Sequence, residues 1–389
     1  MGLAVSGGGD SVALLHLAVA AGLRVEAATV DHGLRPEAVA ECAAVAVACA
    51  GLGVPHEVLR WRWDGRGNLQ DAARRGRLAL LADWAGRRGL SGVALGHTRD
   101  DVAETFLMRL ARDAGVDGLA AMAARREVHG VAFLRPLLGI GRGALRAWLL
   151  ARGVGWAEDA SNDDARFQRV RARRAVAAMA EAGVGAEQIA ALAQRMAEVR
   201  VALEAMAAEA AARVARVDRG DVILDAGGLA ALPAEVRRRL VLAAVTWIAS
   251  AEYGPRGAEL ERFLAAMAAG RAATLAGVRM TAGQGRLRLT REARAVAGLE
   301  VAAGQVWDGR WRISGPESNG LTIRALGEKG LALCPGWKAA GMPRASLPAT
   351  PALWRGAELV SAPLAGMGAG WQADCAPPAG VLAAAPLSH

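Results

Sequence analysis

Cysteine is scarce in this chain of 389 residues. The chain contains only four cysteines: Cys42, Cys49, Cys334 and Cys375. None of them forms a C-x-x-C pair, so the sequence gives no indication of a zinc or iron–sulfur site. We expect these residues to be buried thiols in a reducing compartment, and therefore predict a cytoplasmic protein.

Long apolar runs are also missing. No stretch free of charged residues reaches the about 18 residues that a membrane-spanning helix requires. No basic segment precedes the first apolar stretch, as it would in a signal peptide. We therefore expect no membrane partner. The chain begins only a few residues before its first motif, an abrupt start from which we expect that a short leader is missing.

Lysine is nearly absent, because every basic residue other than Lys329 and Lys338 is an arginine. The formal net charge is nevertheless +9. The planar guanidinium of arginine matches phosphate oxygens well. A strongly basic, arginine-rich chain therefore favours a polyanionic partner such as a nucleic acid. The alternative is a basic surface that binds no such partner.

A glycine-rich loop near the start follows the apolar residues 3–5 and precedes the apolar residues 12–17. The loop consists of Ser6, Gly7, Gly8, Gly9, Asp10 and Ser11. Glycines let backbone N–H groups approach phosphate oxygens, and an open helix N-terminus adds donors and partial positive charge. The two serines can donate hydroxyl hydrogen bonds, whereas the negatively charged Asp10 is predicted to hold a Mg²⁺ that binds the phosphates.

This loop differs from two common nucleotide-binding motifs. It has no Lys-Ser/Thr pair after the glycines, so it is not a Walker A loop, and it lacks G-x-G-x-x-G. The pattern S-G-G-x-D-S resembles the pyrophosphate loop of the N-type ATP pyrophosphatases. The alternative is a glycine-rich turn that binds nothing.

The first half of the chain alternates apolar strand patterns with helical patterns. We predict strands at 3–5, 24–30, 55–60 and 92–96, each followed by a helix, and a further strand at 131–134. Such repeated units imply an α/β fold with a doubly wound parallel sheet. The loops at 6–11, 31–35 and 97–101 should then meet beyond the carboxyl ends of the strands.

The remainder of the chain has a different organisation. We predict an α/β domain at 1–185, a helical connector with an auxiliary domain at 186–300, and a small α+β domain at 301–389. From residue 376 onward we expect little regular structure.

Two of the loops carry further polar side chains. Asp31 and His32 follow the second strand, where a satisfied local turn explains them as well as a binding site does. His97 opens the third loop. Asp101 and Glu104 lie three apart in the first turn of a helix and so share a face. Acids also favour helix N-termini, so ordinary capping is the alternative to Mg²⁺ binding or orientation of an attacking amine.

An arginine-dense segment follows the predicted sheet domain. It contains Phe167 among the arginines Arg166, Arg169, Arg171 and Arg173. Arginine beside an aromatic side chain can bind phosphates and stack on a base, so we predict RNA contact here. The alternative is a solvated charged face.

These motifs together resemble the tRNA(Ile)-lysidine synthetase family, in order and spacing, over roughly residues 1–175. The resemblance rests on five segments: 6–11, 31–35 (Asp-His-Gly-Leu-Arg), 96–105 (Gly-His-Thr-Arg-Asp-Asp-Val-Ala-Glu-Thr), 135–138 (Arg-Pro-Leu-Leu) and 158–162 (Glu-Asp-Ala-Ser-Asn). Asn68, with Arg74 and Arg77 on the third predicted helix, is also similar to that family.

The resemblance implies a two-step reaction on the wobble cytidine of the CAU anticodon of tRNA(Ile). ATP adenylates O2 of the cytosine and releases pyrophosphate; the amine of free L-lysine then attacks C2 and expels AMP, which gives lysidine. The implied fold is an adenine nucleotide α-hydrolase-like PP-loop domain followed by a helical connector and smaller α+β domains. The resemblance implies that the domain at 1–185 is catalytic and that the auxiliary domain at 186–300 binds tRNA.

The resemblance also implies roles for particular residues. Residues 6–11 would hold the pyrophosphate, with Asp10 anchoring Mg²⁺, and Asp31, His32 and His97 would belong to the nucleotide site. Asp101 and Glu104 would bind the lysine ammonium or take its proton. Arg112 would stabilise a phosphate or the anticodon backbone. Asp159, Ser161 and Asn162 would shape the mouth of the site.

Two departures from the family pattern bear on tRNA contact. Asp113-Ala114 stands where the family usually has Gly-Ser, and Val170 stands where it usually has Asn. The alternatives are another PP-loop tRNA-modifying enzyme and a catalytically inactive RNA-binding relative. A thiolase would need a cysteine pair, and GMP or NAD synthetase fits the second and third motifs poorly. The sequence leaves a homodimer open.

Overall fold

A computed structural model of the chain describes residues 1–33, 37–63, 65, 69–158, 166–251, 254–255, 257–316, 319–383, 385 and 387–388. The chain forms two compact units, residues 1–200 and 201–389. The division into three domains, with boundaries after residues 185 and 300, stays a prediction.

The first unit contains a six-stranded sheet and its helices. Its strands are β1 (Gly2–Ala4), β2 (Glu26–Asp31), β3 (His56–Arg60), β4 (Val93–Leu95), β5 (Arg125–Val128) and β6 (Val131–Leu134). Its helices are α1 (Gly9–Ala20), α2 (Glu37–Gly51), α3 (Leu69–Arg87), α4 (Arg99–Leu110), α5 (Val116–Leu119), α6 (Arg142–Leu150), α7 (Gln168–Glu181) and the first part of α8 (Ala186–Val214). All the strands and helices predicted in this part of the chain are therefore present.

The strand order in this sheet is β3-β2-β1-β4-β6-β5. Strands β3, β2, β1, β4 and β6 pair in parallel, which confirms the predicted parallel sheet. Strand β5 pairs antiparallel with β6 at one edge, a hairpin that the sequence pattern did not predict. Because β2 and β4 flank β1 on opposite sides, the carboxyl ends of β1 and β4 meet at the switch point where such sheets bind ligands.

Helices cover both faces of the sheet. Leu15 of α1 is fully buried in a core that also includes side chains of α2 and α6. Trp84 of α3 and Phe133 of β6 are buried in the core on the opposite face. A third core joins Phe106 of α4 to α7 and to Ile189 of α8. Each such side chain stabilises the fold by about 1.5–3 kcal/mol, and the third core holds α7 beside the start of α4.

The second unit is rich in short strands. One six-stranded sheet has the order β18-β7-β8-β11-β10-β9, a four-stranded sheet has the order β12-β14-β15-β16, and β13 pairs with β17. These strands are β7 (Ala215–Asp218), β8 (Asp221–Asp225), β9 (Ala273–Leu275), β10 (Val278–Gly283), β11 (Arg286–Arg291), β12 (Glu300–Ala302), β13 (Trp311–Ser314), β14 (Thr322–Ala325), β15 (Pro351–Arg355), β16 (Glu358–Ser361), β17 (Gln372–Cys375) and β18 (Leu387–Ser388). The helices are α9 (Ala226–Ala231), α10 (Ala234–Ala249), α11 (Gly257–Ala268) and α12 (Gly327–Ala332).

The described part of the C-terminal tail is ordered into this unit, so the expectation of little structure after residue 376 was wrong. Strand β18 pairs in parallel with β7. Leu382 is 0% exposed and Ala385 is buried in the same core as α10 and β11. Apolar side chains that close a core hold this alanine- and proline-rich segment in place even though its local pattern is weak.

All four cysteines are free thiols, and Cys42, Cys49 and Cys334 are buried as predicted. Within the described residues, no single helix combines the length and the apolar character needed to cross a membrane. Helices α7 and α8 satisfy that criterion only as a pair, bent by 108°.

Candidate active site

The glycine-rich loop is held by its own serines. The Ser11 hydroxyl oxygen accepts a hydrogen bond from the Ser6 backbone N–H at 3.1 Å and donates one to the Gly8 carbonyl at 2.8 Å. Gly7 has a φ of +89°, in the left-handed region that favours glycine. No side chain caps α1, which begins at Gly9. The N–H groups of Ser11 and Val12 donate to the Gly8 carbonyl, so those of Gly9 and Asp10 are the ones left for an anion.

A cavity of about 690 Å³ opens at this loop. Its volume lies in the range of small-molecule sites. Residues of all three predicted loops line this cavity, so the loops meet beyond the carboxyl ends of the strands. These lining residues are Ser6, Gly8, Gly9, Asp10, Ser11, His32, His97 and Asp101. Gly96 makes this approach feasible, because a Cβ there would lie 2.9 Å from the Asp10 carbonyl oxygen.

Arg142 at the start of α6 joins three carboxylates. Its Nε donates to Asp10 at 3.1 Å, its Nη1 to Glu104 at 3.1 Å, and its Nη2 to Asp101 at 3.2 Å. The Arg142 side chain is only 15% exposed. Burial lowers its pKa, but the three carboxylates outweigh that effect and raise the pKa above the ordinary arginine value. Arg142 is therefore a permanent cation at the centre of the site.

Asp101 caps α4 and also contacts Arg142. Its Oδ2 accepts hydrogen bonds from the Thr98 backbone N–H at 2.8 Å and from the Thr98 hydroxyl at 3.0 Å, which caps α4. Its Oδ1 accepts from Arg142. Capping thus orients the carboxylate and leaves its second oxygen for the charged cluster.

Glu104 is 1% exposed and surrounded by arginines. Besides Arg142, Arg173 donates to its Oε1 at 2.9 Å, and the Nε of Arg169 lies 3.3 Å from Oε2. Both arginines come from α7, four residues apart on one face. A carboxylate this deeply buried requires such compensation.

Asp10 fits the predicted Mg²⁺ site. Its Oδ2 accepts from Arg142, while its Oδ1 is buried and has no hydrogen-bond partner among the described residues. Burial raises the pKa of Asp10, and the Arg142 guanidinium offsets part of that rise. No group of three or more metal-ligating side chains occurs within the described ranges. The unpartnered Asp10 oxygen beside the glycine-rich loop suits Mg²⁺ held by one carboxylate together with substrate phosphates.

The two histidines of the cavity are both shifted toward their neutral forms. The pKa of His97 is lowered to about 4, mainly by burial and in part by Arg135, whose Nε donates to His97 Nδ1 at 3.2 Å. Burial also lowers the pKa of His32, as does nearby Arg77. Asp31 does not line the cavity; its Oδ1 accepts from the Gly33 backbone N–H at 2.8 Å, the local turn that was the alternative explanation.

The predicted RNA-contacting arginines separate into two groups. Arg169 and Arg173 line the cavity, whereas Arg166 and Arg171 do not. Arg112 also lies outside the cavity, where it donates a hydrogen bond to Gln168. The residues at 34–36, 68 and 159–165, including Arg35, Asn68, Asp159, Ser161 and Asn162, lie outside the described part of the chain.

Sequence reasoning missed three arginines of the cavity as site residues: Arg77, Arg142 and Arg146. Arg77 carried a signal, because it belongs to the third-helix segment that resembles the family. Arg142 and Arg146 carried none, since their local pattern is that of an ordinary amphipathic helix. Only the packing of α6 against α1 brings Arg142 to the carboxylates.

The sheet order, the uncapped glycine-rich loop and the acidic residues beside it define a nucleotide-binding α/β domain of the PP-loop class. Residues 1–180 match the family model described as a PP-loop domain. The chain is 51% identical to a tRNA(Ile)-lysidine synthase of Ruegeria pomeroyi, over 96% of this chain and 90% of that protein. A protein of the same name from Zymomonas mobilis is 40% identical, over 72% of this chain and 84% of that protein. Another from Bradyrhizobium diazoefficiens is also 40% identical, over 78% of this chain and 88% of that protein. The chain belongs to the tRNA(Ile)-lysidine synthase family.

Proposed function

We propose that this chain is a ligase that joins free L-lysine to C2 of the wobble cytidine in the CAU anticodon of tRNA(Ile). The reaction consumes ATP and yields lysidine, AMP and pyrophosphate. The observation that carries the proposal is the meeting of the uncapped glycine-rich loop with Asp10 and Asp101 at one cavity, where Arg142 joins both carboxylates to the buried Glu104. The family membership fixes the chemistry to which this arrangement is applied.

The first step is adenylation of the cytosine O2. The N–H groups at the start of α1 and the glycine backbone of residues 6–9 bind the pyrophosphate as negative charge develops on it. Asp10 is the residue that would hold Mg²⁺ through its unpartnered Oδ1. When bound there, Mg²⁺ would neutralise phosphate charge. Arg77 and Arg146 add positive charge to the same cavity.

The second step is attack of the lysine side-chain amine on C2. A C–N bond forms as the C2–O2 bond breaks, AMP leaves with that electron pair, and the amine loses a proton. Asp101 and Glu104 are the carboxylates that orient the incoming ammonium, take the proton whose loss frees the amine to attack, and take the proton that the amine loses once the C–N bond has formed. Both already contact Arg142, so the lysine cation shares these carboxylates with a guanidinium.

The tRNA is placed by arginines around the cavity. Arg169 and Arg173 reach the cavity from α7, while Arg166, Arg171 and Arg112 belong to the surrounding surface. Arginine at these positions suits contacts with the anticodon backbone. We infer a cytoplasmic enzyme, because ATP, free lysine and tRNA are all found there. A homodimer stays a prediction.

The test is incubation with ATP, Mg²⁺, radiolabelled lysine and a tRNA(Ile) transcript bearing CAU. We expect labelled lysine in this tRNA and none in a methionine tRNA with the same anticodon. AMP release without lysine incorporation would contradict the proposed nucleophile and favour another PP-loop tRNA-modifying enzyme. Binding of the tRNA with neither AMP nor lysidine would favour a catalytically inactive relative.

A further inference from the structure

The contact between Arg135 and His97 determines where the imidazole carries its proton. Arg135 Nε lies 3.2 Å from His97 Nδ1. A guanidinium has only donors, so Nδ1 must accept and cannot carry a proton in this contact. A neutral imidazole with an unprotonated Nδ1 has its proton on Nε2. The geometry therefore selects one of the two neutral tautomers.

The environment of His97 also keeps the ring neutral. The pKa of His97 falls to about 4. Burial is the largest cause, the cations Arg135, Arg77 and Arg169 contribute to the fall, and Asp101 opposes it. At neutral pH the ring is uncharged. A proton on Nδ1 would point at the Nε–H of Arg135, so the two hydrogens would repel each other.

The Nε2 side of the ring is left without a partner at the cavity. His97 lines the cavity, and Nε2 has no hydrogen-bond partner among the described residues. Arg135 itself does not line the cavity. Its Nη1 donates to the Ala123 carbonyl oxygen at 2.6 Å, which fixes the guanidinium in place. Any effect of Arg135 on a bound substrate must therefore pass through His97 or through the backbone at Ala123.

We propose that Arg135 is a positioning residue that holds His97 as an Nε2–H donor to an acceptor oxygen of the bound substrate. This oxygen belongs to ATP or to the target cytidine. The identity of the oxygen is the one part of this proposal that rests on the proposed function. His97 then acts as a hydrogen-bond donor, and its Nδ1 does not act as a base. Orientation of an imidazole by its other nitrogen is a general means of fixing its role.

The first test measures the tautomer directly and needs no activity. In ¹⁵N NMR spectra of histidine-labelled protein, the His97 signals are identified by their loss in His97→Gln. We expect Nδ1 to appear unprotonated and Nε2 protonated at neutral pH. Arg135→Met should give a mixture of both tautomers, whereas Arg126→Met, on neighbouring strand β5, should leave the spectrum unchanged. A proton on Nδ1 in the unaltered protein would overturn the proposal.

The second test separates the tautomer from a structural role at Ala123. A glutamine amide can replace the Nε2–H donor, while an asparagine amide lies near the Nδ1 position. We expect His97→Gln to retain more activity than His97→Asn. Arg135→Met should lower the rate of AMP formation by about 10- to 100-fold, the effect of one hydrogen bond to a charged group.

The decisive comparison is the double variant. If Arg135 acts through His97, adding Arg135→Met to His97→Gln should cause little further loss. Losses that multiply in the double variant would overturn the proposal and assign Arg135 to the backbone contact. A higher KM for ATP in Arg135→Met would place the acceptor oxygen on ATP, and a higher KM for tRNA alone would place it on the cytidine. Either result supports the positioning role.

Discussion

Removal of the Arg142 guanidinium should destabilise the first unit of the chain strongly. Arg142→Met keeps most of the apolar stem and deletes the charge that Asp10, Asp101 and Glu104 share. The side chains involved are mostly buried, with exposed fractions of 15% for Arg142 and 2% for Glu104. Breaking a buried pair in this way leaves carboxylates without their counter-ion.

The size of the effect depends on what each carboxylate retains. Glu104 keeps Arg173 at 2.9 Å, and Asp101 keeps its hydrogen bonds from Thr98. Asp10 loses the one side-chain partner that the described residues give it. Loss of a partner from a buried ion pair costs about 3–5 kcal/mol. Because two of the three carboxylates keep other partners, we expect about 2–4 kcal/mol at pH 7.

The loss should depend on pH in a defined direction. Burial already raises the pKa of Asp10 above its ordinary value of 3.8, and Arg142 counteracts that rise. A carboxyl group with a raised folded-state pKa costs stability above the unfolded-state pKa, and this cost disappears as the group is protonated. Without Arg142 the Asp10 pKa rises further. The difference in stability between the variant and the unaltered protein should therefore shrink from pH 7 toward pH 4.

Hydrogen exchange of the backbone amides of α1, α4 and α6, measured in EDTA across this pH range, reports the stability of the first unit. Arg75→Met is the control, since Arg75 pairs with Asp71 on the surface of α3 with more than half of each side chain exposed. Such a pair contributes about 0.3–0.5 kcal/mol. A loss below about 1 kcal/mol in Arg142→Met, or a loss independent of pH, would refute the argument that buried carboxylates depend on this cation.

Three further predictions concern the same site. Gly96→Ala places a Cβ 2.9 Å from the Asp10 carbonyl oxygen and 3.0 Å from Ser11 Cα. Because both contacts are with backbone atoms, we expect the KM for ATP to rise and the free energy of unfolding to fall by about 1–3 kcal/mol. Unchanged values of both would contradict the close approach. The pKa of His97 is about 4 against an ordinary 6.5, so between these pH values the unfolded chain binds a proton that the folded chain lacks. The free energy of unfolding should therefore fall by at most about 3 kcal/mol as pH drops from 6.5 to 4. When this free energy is measured by urea unfolding at each pH, its dependence on pH should be weaker in His97→Gln. Asp101→Asn should abolish lysidine formation while tRNA binding, measured by filter retention, stays nearly intact; full activity would remove Asp101 from the mechanism.

Much of the first unit could be predicted from local sequence. The strand–loop–helix pattern around residues 6–11, the repeated βα units and the meeting of three loops all follow from periodicity and from the geometry of parallel sheets. Strand β5 was missed because a short exposed edge strand carries little apolar pattern. The ordered tail was missed because its buried residues are few and separated by residues typical of loops.

The sequence by itself determined which groups lie at the carboxyl edge of the sheet, because local backbone geometry places the glycine-rich loop, Asp10 and Asp101 there. Only the tertiary structure decided which cation these acids share. Arg142 lies 132 residues from Asp10 and 38 from Glu104 along the chain. No local pattern encodes a contact over such separations. It arises because the buried face of α6 packs against α1, and this packing carries the polar residue at the start of α6 into the site.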